Sequence, residues 1–242
     1  MKLEVLRIPV RSLSLAGLRY VPEGTPRRTM LLYAHGFTSS KHSMDGLASY
    51  LAMHGYPGVT FDFVGHKLGA TGGQMRHITD AAENLQDALH WIRAEEQARA
   101  IVLIGHSLGG ASALQVAAWE RGAPDLQAVI VLCMGQDPAR GFQSPIGRKM
   151  LQMRQDYVQG TPVPQLLEEL RSMLRSACEV GTLPVLFIAA QQDVLVTPER
   201  VFELAEQVGP HAEVQVIEAQ HVDAPDRARG VILNWLEQHG LR

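Results

Sequence analysis

Apolar residues along this chain follow two alternating rhythms. In short runs almost every position is apolar, as in Met30-Leu31-Leu32-Tyr33-Ala34 and Ile101-Val102-Leu103-Ile104; in longer stretches they recur every three or four residues, as in Ala82, Leu85, Ala88, Leu89 and Ile92. The first rhythm predicts strands covered on both faces, the second helices with one buried stripe. Leu3–Val10 and Leu13–Val21 read as an antiparallel pair joined by a tight turn. Further strands are expected at Met30–Ala34, Val59–Phe63, Ile101–Ile104, Ala128–Met134, Leu183–Ala190 and Val214–Ile217. Helices are expected between them: one carries Met44, Leu47, Ala48, Leu51 and Ala52 and stops at Gly55, and one runs from Thr79 to Glu96 with Thr79 and Asp80 as candidate N-caps. The others run from Ser107 to about Arg121, over Thr197–Val208 and over about Asp226–His239. Strands alternating with helices predict an α/β architecture, a mostly parallel sheet with helices on both faces, built as one domain over residues 1–242.

One segment breaks the alternation. From Gln136 to Thr182 there is no strand signal, only two amphipathic stretches at Ile146–Tyr157 and Leu166–Leu174 and the prolines Pro162 and Pro164. An insertion of this length after a sheet strand lies where open α/β sheets bind ligands. The expectation is a short helical lid over about residues 136–182. Leu151, Met153, Leu166, Leu170, Met173 and Leu174 suit either the roof of an apolar pocket or packing between helices.

Composition narrows the partners. Hydrophobic residues make up 46% and charged residues 19% of the 242, which describes an ordinary globular chain with a sizeable core. A net charge of −3 supplies no basic field for a phosphate backbone, so nucleic acid is not an expected partner. Met1–Val10 is interrupted by Lys2, Glu4, Arg7 and Pro9 and does not read as a secretory signal, and no apolar run approaches a membrane span. A cytoplasmic location without membrane contact is therefore expected, with Cys133 and Cys178 as reduced thiols.

The strand at Ile101–Ile104 runs directly into Gly105-His106-Ser107-Leu108-Gly109-Gly110 and then into a helical pattern. A strand turning this sharply into a helix holds the corner residue in strained backbone geometry. Gly105 and Gly109 remove Cβ atoms that would collide there, and the serine hydroxyl is lifted above the sheet. Read alone, the same residues also fit a turn that merely starts a helix. A nucleophilic serine needs a base and a group to hold that base. His221 follows the last strand and Asp193 follows the strand before it, both at carboxyl ends and both downstream of Ser107. Asp137 is a competing acid, and Asp223 sits beside His221. The charge of a tetrahedral intermediate needs N–H donors, for which the Leu108 amide and the Phe37 amide in His35-Gly36-Phe37 are the candidates, with His35 bracing that loop.

With His35-Gly36-Phe37, Asp62-Phe63-Val64-Gly65-His66, the Ser107 elbow, Asp193 and His221, the chain resembles the α/β-hydrolase superfamily over nearly its whole length. Within it, His35 to Lys41 and the insertion look like the bacterial cinnamoyl and feruloyl esterases and related small carboxylesterases. The resemblance implies an α/β-hydrolase fold and hydrolysis of small-molecule esters without a cofactor or a metal. In that picture Ser107 is the nucleophile, His221 the base, Asp193 its orienting carboxylate, and Phe37 and Leu108 the oxyanion donors. One departure is the Gly65-His66-Lys67-Leu68-Gly69-Ala70-Thr71-Gly72-Gly73 loop, where many relatives have Gly-His-Gly followed closely by Ser. Arg140, Arg148, Lys149 and Arg154 suit solvated helix faces or an anionic substrate such as an acyl-CoA, which keeps a thioesterase in view. A non-catalytic binding protein on the same fold is the alternative of another class.

Overall fold

The central strands of this chain are buried on both faces, and their side chains alternate strictly between two helical layers. A computed structural model describes residues 1–10 and 13–242; the turn expected between the first two strands, at Arg11 and Ser12, lies outside the described residues. Eight strands form one sheet: β1 (Lys2–Val10), β2 (Leu13–Val21), β3 (Thr29–Ala34), β4 (Gly58–Phe61), β5 (Ala100–His106), β6 (Leu126–Leu132), β7 (Val185–Ala190) and β8 (Ala212–Ile217). Their order is β1-β2-β4-β3-β5-β6-β7-β8, with β1 and β2 antiparallel and everything from β4 to β8 mutually parallel.

Leu31 and Tyr33 of β3, Val102 and Ile104 of β5 and Leu186 and Ile188 of β7 point to one face, where α1 (Asp45–Met53) and α8 (Ala224–Gln238) cover them with Leu47, Leu51, Ile232 and Leu236. Leu32, Leu103, Val131 and Phe187 point to the other, beneath α2 (Thr79–Glu95), α3 (Leu108–Trp119) and α7 (Pro198–Val208). All these strand residues are fully buried, each worth about 1.5–3 kcal/mol relative to exposure. Register aligns the carboxyl ends: Ala34 lies opposite both Phe61 and Gly105, His106 opposite Leu132, and Ala190 opposite Ile217. Whatever follows β3, β5, β7 and β8 therefore emerges along one edge of the sheet.

Helix starts differ in detail from the sequence pattern. A 3-10 turn at Lys41–Met44 precedes α1. Asp80 does not cap α2; its carboxylate accepts from the Arg76 and His77 amides at 2.6 and 3.1 Å, closing the preceding turn. Strand β6 stops at Leu132 because Cys133 turns to φ 52°.

The insertion contains α4 (Pro138–Gln143), α5 (Pro145–Arg154) and α6 (Val163–Ala177), of which the first was not legible as a separate element. The last two have different fates. On α6, Leu166, Leu170, Met173, Leu174 and Ala177 fall on one stripe and join the same core as α3. Glu169 of α6 also accepts the Ile78 amide at the start of α2, at 2.8 Å. On α5 only Gly147 is buried, and Met153 is 70% exposed. Four of the six apolar residues that suited either a roof or helix packing are thus body core.

Between α5 and α6 the chain runs beside the loop that follows β4. Lys67 N donates to Tyr157 O and Gln159 N to Gly65 O, both at 2.8 Å; Met75 N donates to Gln159 O at 2.8 Å and Thr161 N to Met75 O at 2.9 Å. Among the described residues no helix is long and apolar enough to cross a membrane.

Candidate active site

Between the end of β5 at His106 and the start of α3 at Leu108 there is a single residue, Ser107, with φ 51° and ψ −115°. A side chain held in such a sparsely populated region costs about 1–3 kcal/mol and persists only where the surroundings over-determine it. They do so here. A Cβ on Gly105 would overlap the Gly109 carbonyl, and one on Gly109 would overlap the Ala34 carbonyl, so strand, corner and helix approach closer than any other residue type permits. Ser107 N donates to Leu132 O at 2.8 Å, and Ser107 O accepts from Gly110 N and Ala111 N at 2.8 and 3.1 Å. Leu108, as the first residue of α3, presents one of the amides that a helix N-terminus leaves without an intrahelical partner.

The loop after β3 lies against this corner. A Cβ on Gly36 would sit 3.5 Å from Ser107 Cβ and 3.0 Å from His106 Nδ1, so Gly36 lets the backbone that leads to Phe37 approach the serine. His35 braces the loop from below: Phe63 N donates to its Nε2 at 3.1 Å and its Nδ1 donates to Gly36 O at 2.8 Å. Burial, reinforced by His66, pushes the His35 pKa down to about 3, so the ring is neutral.

Asp62, at the end of β4, is fully buried. Its carboxylate accepts from Lys41 Nζ at 2.6 Å, Lys41 N at 2.7 Å and Ala70 N at 2.7 Å. Burial raises its pKa, but Lys41 and the two amides outweigh that and hold it below the ordinary carboxylate range. This pair fastens the loops after β3 and β4 to each other.

Asp193 and His221 emerge after β7 and β8. Asp193 Oδ1 accepts from Leu195 N at 2.8 Å and Val196 N at 2.9 Å, while Oδ2 accepts from His221 Nδ1 at 2.7 Å. The Asp193 side chain is wholly buried and that of His221 is 14% exposed. Burial raises the Asp193 pKa, yet the His221 hydrogen bond and charge and the two amides bring it below its usual value. The competing acids are engaged elsewhere: Asp137 pairs with Arg171 at 2.9 Å, and Asp223 accepts the Gln220 amide at 2.7 Å and pairs with Arg227.

His106 was missed from the sequence. Its Nε2 donates to the His221 carbonyl at 2.8 Å, and the two rings lie 4.9 Å apart, so the residue before the serine holds the loop that carries His221. Burial and the neighbouring His221 push its pKa down to about 3. The only sequence signal was its place inside the pentapeptide. Among the described residues, His106, Cys133 and His221 are also the group whose donor atoms converge for a metal, within 4.8 Å of one another; His106 Nε2 and His221 Nδ1 are already engaged in the hydrogen bonds above.

Ser107, His106 and His221 line one cavity of about 240 Å³. Gly36, Phe37, Thr38 and Ser39 form one wall, Leu195 and Val222 another, Leu68 comes from the loop after β4, and Phe142, Met150, Leu151 and Arg154 come from α4 and α5. The arrangement joins a strained serine, a histidine fixed by a buried carboxylate, and the loop after β3 along one cavity wall.

Residues 25–179 match the Hydrolase_4 family, described as serine aminopeptidase, S33, a span that includes Ser107 and ends before Asp193 and His221. The chain is similar to Est1E of Butyrivibrio proteoclasticus with ferulic acid bound, at 17% identity and a TM-score of 0.79 over 98% of this chain and 100% of that one. It is similar to the esterase domain of a Rhodothermus marinus protein at 25% identity and a TM-score of 0.73, over 98% and 99% of the two chains. It is also similar to the Pyrococcus furiosus esterase Pf2001 at 20% identity and a TM-score of 0.73, over 98% and 92%. No curated protein matches the sequence significantly.

Proposed function

We propose, from the premise that this chain belongs to the Hydrolase_4 family (serine aminopeptidase, S33) and is an α/β-hydrolase, that it cleaves small carboxylic esters through an acyl-enzyme on Ser107. The observation that supports this most is the 2.7 Å bond from His221 to the buried Asp193 beside a cavity that Ser107 also lines. The esterases among its structural neighbours agree with it.

In this reading, the Ser107 hydroxyl attacks the ester carbonyl while His221 Nε2 takes its proton. Asp193 holds the Nδ1–H tautomer and stabilises the imidazolium. The oxyanion is met by the Phe37 and Leu108 amides, each such donor being worth about 10²–10³ in rate. The alkoxide leaves with the proton from His221, and water repeats the sequence on the acyl-enzyme. The α4–α5 segment acts as the lid that shapes the pocket.

A fluorophosphonate probe tests this directly. Labelling at Ser107 in the native protein, absent in Ser107→Ala together with turnover of p-nitrophenyl esters, is the expected outcome. A folded Ser107→Ala protein that still turns over these esters at the native rate overturns it.

A further inference from the structure

Four basic residues lie on α4 and α5: Arg140, Arg148, Lys149 and Arg154. The first three are exposed; Arg154 alone is half-buried and lines the cavity that holds Ser107. Helical spacing explains the difference. Met150 and Leu151 stand four and three residues before Arg154, so all three share one face of α5, and all three line the cavity. No described carboxylate pairs with Arg154, whereas the nearby buried cation, Lys41, is neutralised by Asp62 at 2.6 Å. His35 and His106 are neutral near pH 7, with pKa values of about 3. Arg154 is therefore the one permanent positive charge among the residues lining an otherwise mostly apolar space.

A guanidinium partly withdrawn among apolar neighbours loses part of its hydration, which an anionic partner in the cavity restores. Its planar fork of donors fits a carboxylate or similar oxyanion in a bidentate way. At about 240 Å³, the cavity is smaller than sites for drug-sized ligands, roughly 300–1,000 Å³, and suits a compact acyl or aryl unit. We propose that Arg154 is the specificity residue of this pocket and that the substrate is an ester whose apolar body ends in a carboxylate remote from the scissile carbonyl. The proposal rests on the esterase reading above.

Two matched pairs test it, one with the charge on each side of the ester. Mono(4-nitrophenyl) adipate is set against 4-nitrophenyl hexanoate, and 4-acetoxybenzoate against its methyl ester. The native protein is expected to favour the charged member of at least one pair by tenfold or more in kcat/KM, with the preference shrinking as salt rises. In Arg154→Met that charged-to-neutral ratio is expected to fall at least tenfold at an unchanged melting temperature, and Arg154→Lys to retain part of it. Native protein that shows no preference in either pair overturns the proposal, as does a ratio unmoved in both folded variants. Failure to hydrolyse any of the four esters, with no fluorophosphonate labelling, is the different result that removes the esterase reading and this proposal with it.

Discussion

Residues Ile101 to His106, which lead into Ser107, are all buried, whereas Met150 to Tyr157, of which Met150, Leu151 and Arg154 line the same cavity, are half-buried or exposed throughout. The floor is held by overlapping constraints: close-packed glycines, the His106 bond to the His221 carbonyl, the Asp62–Lys41 pair and the amides on Asp193. The α5 roof buries one glycine. The contrast teaches that a reaction and its selectivity can be assigned to parts of very different rigidity. In the proposed reading the reacting groups sit on the closely packed, hydrogen-bonded floor, and the pocket wall on α5 sits where side chains can be exchanged at low cost in stability.

The comparison can be broken at several levels. The largest effect is expected in the floor: Asp193→Asn should lower kcat by about 10⁴-fold, by favouring the wrong tautomer of His221, while substrate binding changes little. Steady-state kinetics on a p-nitrophenyl ester checks this, and a loss below tenfold would sink the assigned role. Next, Leu170→Ala on α6 should cost about 2–5 kcal/mol, since that side chain is core. Leu151→Ala on α5 should stay within about 1 kcal/mol while shifting KM. Urea melts of both proteins decide it, and equal costs would erase the distinction between the two helices.

A smaller effect separates floor from roof by pH. His35 and His106, with pKa values of about 3, and His66, at about 4, are all buried neutral against an ordinary value of 6.5. Their folded pKa values are depressed, so the unfolded chain binds protons first. Their contribution is full above about pH 6.5 and declines as pH falls toward 4 and 3. From pH 7.5 to pH 6 the three together should cost about 2 kcal/mol, and a urea midpoint that stays flat over that interval would contradict it.

The strand and helix sequence was legible because central strands buried on both faces read as unbroken apolar runs, and α2, α7 and α8 as stripes. The pentapeptide, Asp193 and His221 were legible for the same reason, since strand ends in a parallel sheet converge. What was not legible depended on contacts made only after folding. Lys41 reads as a surface residue until Asp62 is brought beside it. His106 reads as a spacer until the loop after β8 returns to it. The α4 helix is too short to show a period. Leu166 to Leu174 and Leu151 to Met153 look alike in hydropathy, and only the position of α3 decides which becomes core.

The ladder joining residues 157–161 to Gly65, Lys67 and Met75 carries a consequence for engineering. The unit that can be swapped between relatives is discontinuous in sequence. A transplanted insertion from Gln136 to Thr182 would arrive without its mate and leave several backbone donors and acceptors stranded, whereas one carried together with residues 65–76 brings its own anchorage. Chimaeras that respect both cut points should express and fold where single-segment grafts fail.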